Sequence, residues 1–104
     1  MRTQDQLTLA VPLKEAMHIC RAAAPSAKMK IKAEGEDWVR LTRSLSLIRN
    51  PSDYELHFEE STPGSTEVTI YAHMIGFGPI MKMQVDRDLQ ALKQSVSAQS
   101  SRVA

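Results

Sequence analysis

The chain has 104 residues, a formal net charge of +1, 42% hydrophobic residues and 24% charged residues. That length supports one modest core and leaves no room for a second, and the composition is too apolar for a disordered chain. A net charge so near zero gives no overall field to draw the protein onto nucleic acid or an anionic membrane, so only a local patch could do so.

The opening Met1-Arg2-Thr3-Gln4-Asp5 has no basic-then-apolar signal pattern. It leads directly into Leu7, Leu9 and Val11 alternating with Thr8 and Ala10, the period of a half-buried strand. From Pro12 the period changes. Leu13, Ala16, Met17, Cys20 and Ala24 follow helical spacing, with Pro12 suited to a first turn and Pro25 to a stop, so a helix is expected over residues 12–24.

Residues 28–34 alternate again, with Met29, Ile31 and Ala33 on one face and Lys28, Lys30 and Lys32 on the other. Gly35-Glu36-Asp37 offers a turn, after which Val39, Leu41, Leu45 and Leu47 share parity, interrupted by Arg43. A three-residue loop would oppose Ala33 to Val39, Ile31 to Leu41 and Lys32 to Arg40, keeping apolar side chains together. Asn50-Pro51-Ser52-Asp53 is turn chemistry.

Tyr54, Leu56 and Phe58 then face one way, and Glu55, His57 and Glu59 the other. The loop Ser61-Thr62-Pro63-Gly64-Ser65 separates them from Val68, Ile70, Ala72 and Met74, which makes a hairpin. The expected register sets Leu56 opposite Ala72, Phe58 opposite Ile70, His57 opposite Tyr71 and Glu55 opposite His73. Gly76-Phe77-Gly78-Pro79 breaks the strand. In the last element Met81, Val85, Leu89, Leu92 and Val96 form one stripe, while Lys82, Asp86, Lys93 and Gln94 face elsewhere. A helix over residues 80–96 would be about 25 Å long, enough to cross several strands.

The expected architecture is α+β: an antiparallel sheet with an N-terminal helix and a long C-terminal helix on one face, in the order β-α-β-β-β-β-α. Residues 1–96 form the single domain and 97–104 a frayed tail. No apolar run approaches the roughly 18 residues of a spanning helix, so membrane insertion is not expected.

The order of elements, and above all the run from Val68-Thr69-Ile70-Tyr71-Ala72 through Gly76-Phe77-Gly78-Pro79 to Val85-Asp86-Arg87-Asp88-Leu89-Gln90-Ala91-Leu92-Lys93, resembles a shortened helix-grip domain of the START and polyketide-cyclase (SRPBCC) superfamily. In that superfamily a curved sheet grips the terminal helix and an apolar ligand lies between them. The resemblance implies an apolar small molecule or lipid lined by Met29, Ile31, Leu41, Leu56, Phe58, Ile70, Met81, Val85 and Leu89. The alternative is that these residues are a filled core.

Residue chemistry adds little to name a reaction. His57 and His73 with Glu55 and Glu59 could share a proton or hold a metal, or form an ordinary solvated strand face, which is the expectation here. A single cysteine, Cys20, excludes an intrachain disulfide and a thiolate zinc cluster, points to a reducing, cytoplasmic setting, and falls on the apolar helix stripe as a small hydrophobe; His18 lies on the other side. Lys28, Lys30, Lys32 and Arg40 near Trp38 suggest a nucleic-acid strand surface, but one tryptophan makes a poor stacking platform. Gly76-Phe77-Gly78 lacks the residues of a phosphate loop.

The expectation is therefore a non-enzymatic binding module without cofactor, metal or nucleic-acid partner. A homodimer with no small ligand is the alternative, pairing across Leu45, Leu47 and Ile48, and a cyclase- or hydratase-like enzyme is the third.

Overall fold

The computed structural model describes residues 2–43, 51–74 and 78–103. Strand β1 (Arg2–Leu9) leads into helix α1 (Leu13–Ala23), which ends in a 3-10 turn, Ala24–Ala27. Strands β2 (Lys30–Glu34), β3 (Trp38–Arg43), β4 (Ser52–Thr62) and β5 (Ser65–Met74) follow, and helix α2 (Pro79–Val103) closes the chain. The strands form one antiparallel sheet in the order β1-β5-β4-β3-β2.

The alternation in the sequence decides which face is covered. Val39 and Leu41 of β3, Tyr54, Leu56 and Phe58 of β4, and Val68, Ile70, Ala72 and Met74 of β5 are all buried. They meet Ala16, Met17, Ile19 and Cys20 from α1 and Val85, Leu89, Leu92 and Val96 from α2 in one cluster. Both helices therefore lie on the same face of the sheet, and the opposite face is solvated.

Glu60, at the far end of β4, holds the start of α1. Its carboxylate accepts the Leu13 N–H at 2.8 Å and the Gly64 N–H at 3.1 Å. Pro12, the N-cap residue, has no side-chain cap of its own, so Glu60 supplies the missing acceptor and complements the helix dipole. These two backbone donors hold the Glu60 carboxyl below the usual glutamate range. Buried Thr66 is satisfied in the same corner, its hydroxyl donating to the Val11 carbonyl at 2.8 Å.

Three local expectations are corrected. Helix α2 continues to Val103 rather than fraying after residue 96. In the β4–β5 hairpin Leu56 pairs with Ile70, Phe58 with Val68, His57 with Thr69 and Glu55 with Tyr71, a shift of two residues from the expected register. The cause is that most of the expected loop is strand: Thr62 pairs with Ser65 across the two-residue turn Pro63-Gly64, and a bulge between Glu59 and Thr62 absorbs the odd residue. Gly64 at φ 78° after a proline is the combination a type II turn requires.

The third correction is in β2. Ile31 does pair with Leu41, but a bulge between Ile31 and Ala33 sets Ala33 against Arg40 and Glu34 against Val39. The expected Lys32–Arg40 pairing is lost, and Lys32 instead lies 3.7 Å from Asp53 on β4. Gly35 is needed in this hairpin because a Cβ there would collide with the Trp38 indole.

Candidate functional site

Among the described residues, the apolar layer between the sheet and α2 is interrupted by a charged group at Asp88. Asp88 projects from the buried stripe of α2 and is 1% exposed. Its Oδ1 takes the Arg43 Nη1 donor at 2.5 Å, and its Oδ2 accepts from the Tyr54 hydroxyl at 2.5 Å, with Ser52 Oγ at 3.4 Å. Arg43 ends β3, Ser52 begins β4 and Tyr54 follows two residues later on the same face. Tyr54 and Ser52 are buried, while the Arg43 side chain keeps 24% of its surface in contact with solvent.

A carboxylate at this depth is costly without compensation, and Arg43 supplies the countercharge. The result is a neutralised polar cluster of cation, carboxylate, phenol and hydroxyl set in a hydrophobic layer. It can accept or donate hydrogen bonds to a polar group on an otherwise apolar molecule.

Of the nine residues expected to line a ligand space, Met29, Leu41, Leu56, Phe58, Ile70, Val85 and Leu89 lie together in the buried cluster. Met81 packs against its margin. Ile31 does not join the buried cluster: it pairs with buried Leu41 but lies on the edge strand β2 and is 43% exposed.

The Asp88 cluster was not anticipated, although the signal was present. Asp88 stands three residues after Val85 and four before Leu92, so it occupies the apolar stripe itself. Arg43 interrupts the apolar parity of β3, and Ser52 shares the parity of Tyr54 and Leu56. Three polar residues at core-facing positions meet at one point.

The outer face carries the other candidate chemistry. Glu55 accepts from Arg40 at 3.1 Å and lies 2.7 Å from His57 Nε2, and the two partners, His57 first, hold its carboxyl below the usual glutamate range. The His57 and Tyr71 rings still meet, edge-on at 5.3 Å, although they are no longer directly opposite. His73 faces Asp53 on β4 and Arg2 on β1, not Glu55 as the expected register had it. Both histidines are exposed, and among the described residues no group of three or more His, Cys, Asp or Glu is placed to hold a metal ion. Arg40 sits 5.5 Å over the Trp38 ring, a paired arrangement in which its charge is already engaged. His18 is exposed on α1. Cys20 is buried, and desolvation pushes its thiol up to about 12, so it packs as a hydrophobe.

No protein-family model matches the chain, and no curated protein matches it in sequence. Solved structures do match. A START superfamily protein from Mycobacterium smegmatis superposes with a TM-score of 0.67 over 99% of each chain at 12% identity. The fold is a helix grip, like that of this START superfamily protein. A protein from Nitrosospira multiformis shares this helix grip with a TM-score of 0.68 at 13% identity, over 94% of each chain. A Streptomyces aromatase/cyclase matches over 100% of this chain and 96% of its own, with a TM-score of 0.63 at 12% identity. At such identities the likeness is one of fold. Within this helix grip the Asp88 cluster lies where the terminal helix meets β3 and β4. No helix among the described residues is long and apolar enough to cross a membrane.

Proposed function

We propose that this chain is a small-molecule binding module that takes an apolar ligand between its sheet and α2, with Asp88, Tyr54 and Arg43 meeting a polar group on that ligand. The observation that carries this reading is the buried Asp88 cluster. A buried ion pair stabilises a domain no better than well-packed hydrophobes of the same volume, so its place in so small a core calls for a role other than stability. Ligand sites are commonly apolar with a few convergent polar groups, which is the composition of this layer. Two proteins of matching fold, a START superfamily protein and an aromatase/cyclase, support the same class. Residues Met29, Leu41, Leu56, Phe58, Ile70, Met81, Val85 and Leu89 would supply the apolar contacts.

Native mass spectrometry tests this. Protein incubated with a total lipid extract and desalted should carry a non-covalent adduct of one molecule, lost under denaturing conditions. Identical native and denatured masses after that incubation would count against the reading.

A cyclase- or hydratase-like activity is the second reading, favoured by the Tyr54 hydroxyl donating directly to Asp88. It requires turnover that Tyr54→Phe removes while ligand binding survives. A cytoplasmic setting rests on the lone buried cysteine. The homodimer is a further part of the proposal, since β1 and β2 are the edge strands of the sheet among the described residues.

A further inference from the structure

The junction between α1 and β2 is built in an unusual way. The Met29 N–H donates to the Ala24 carbonyl at 3.0 Å and the Lys28 N–H to the Pro25 carbonyl at 2.9 Å, the paired closure that ends many helices. Lys28 therefore takes the left-handed position, at φ 61°, which glycine fills most readily because any Cβ is strained there. It is the one non-glycine residue with positive φ among the described residues. A lysine held at such a position is a reason to ask what its side chain does.

Beside this turn lies a cleft of about 430 Å³. Its lining combines the apolar Ala24, Pro25, Met29 and Ile31 with the cationic residues Arg21, Lys28 and Lys30. Among the described residues no acidic residue lines it, and neither Lys28 nor Lys30 forms an ion pair. Arg21 has only Glu34, at 3.9 Å. Ile31, 43% exposed, adds an apolar side chain to this lining.

We propose that this cleft is a second binding site, meeting the sheet–α2 layer only at Met29, for a free amphiphilic carboxylate, with its chain on Met29 and Ile31 and its carboxylate between Lys28 and Lys30. The apolar residues select the chain and the cationic residues select the charge. An inorganic anion would forfeit the first and a neutral alcohol the second. The proposal does not depend on the function proposed above.

Methyl NMR of Met29 and Ile31 tests it, with octanoate, octanol and acetate as probes. Octanoate should give saturable shifts at both methyls about five-fold tighter than octanol, the effect of one or two exposed charge contacts, and acetate should give none. Lys28→Gln combined with Lys30→Gln should weaken octanoate about five-fold, as should Ile31→Ser. Lys28→Gly should melt no lower than the parent, because it relieves the left-handed strain, and yet bind octanoate more weakly. Equal affinity for octanol and octanoate would overturn the proposal, as would retention of affinity in the double glutamine variant. Shifts confined to Ile70 and Leu89 with Ile31 unmoved would also overturn it, while leaving a ligand in the sheet–α2 layer intact.

Discussion

Replacing Leu89 with Asp is expected to abolish cooperative folding, or to lower the thermal midpoint by more than about 16 °C. Leu89 is 6% exposed on the stripe by which α2 covers the sheet, among Val85, Leu92 and Val96. The substitution loses burial of about 1.5–3 kcal/mol and places a second carboxylate beside Asp88 in a layer whose cation is already taken. A cost of at least about 4 kcal/mol is a large part of the stability of a domain this size. Lys93→Ala is the control from the same helix. Lys93 pairs with Asp5 of β1 at 3.2 Å with both side chains about one-third exposed, so its loss should cost less than about 1 kcal/mol. Melts followed by circular dichroism compare the two, and equal midpoints would show that α2 does not dock through this stripe.

Asp88→Ala is expected to destabilise by about 3 kcal/mol, a fall of about 12–24 °C in the midpoint. The change deprives Arg43 and Tyr54 of the carboxylate they share, and Tyr54 is fully buried. The partly exposed Arg43 recovers some hydration, which keeps the loss at the lower end of what breaking a buried pair usually costs. Tyr54→Phe should cost about 1 kcal/mol alone and much less when Asp88 is already Ala. Strictly additive losses in that double-mutant cycle would mean that the two side chains do not act together.

Much of the fold was legible because one-sided alternation and a helical stripe are direct consequences of burying one face. Val39 and Leu41, Tyr54 through Phe58, and Val68 through Met74 each read correctly as core-facing runs, and Val85 to Val96 as the helix that covers them. Register was less legible. Ser61 to Ser65 are all turn-forming types, so nothing in them showed that only Pro63 and Gly64 make the turn, and a bulge between Glu59 and Thr62 changes the pairing without altering the alternation. Ile31 has the parity of the core-facing residues and pairs with buried Leu41, but β2 is an edge strand with a bulge and leaves it 43% exposed among the described residues. The strip Leu45, Leu47 and Ile48, expected to pair two copies, lies outside the described residues.

The polar cluster escaped a reading that looked for apolar periodicity and treated its interruptions as noise. Arg43 was visible as a break in β3, but its partner stood 45 residues later in α2, where Asp88 was hidden between Asp86 and Leu89. Charges that break an apolar stripe in two distant elements are the signal to pair, because each needs the other to be buried.

The central claim is that the space between the sheet and α2 admits a ligand, and Val85→Phe with a neutral fluorescent probe tests it most directly. Val85 is 1% exposed on α2 and faces the sheet. The parent protein titrated with N-phenyl-1-naphthylamine, which carries no charge to engage the lysine-lined cleft, should show saturable binding of one equivalent. In Val85→Phe that binding should vanish, with a stability change of less than about 1 kcal/mol, because the added ring occupies room a ligand would otherwise fill. A parent that binds no probe, together with a Val85→Phe variant destabilised by about 1–3 kcal/mol through overpacking, would instead describe a filled core and contradict the claim.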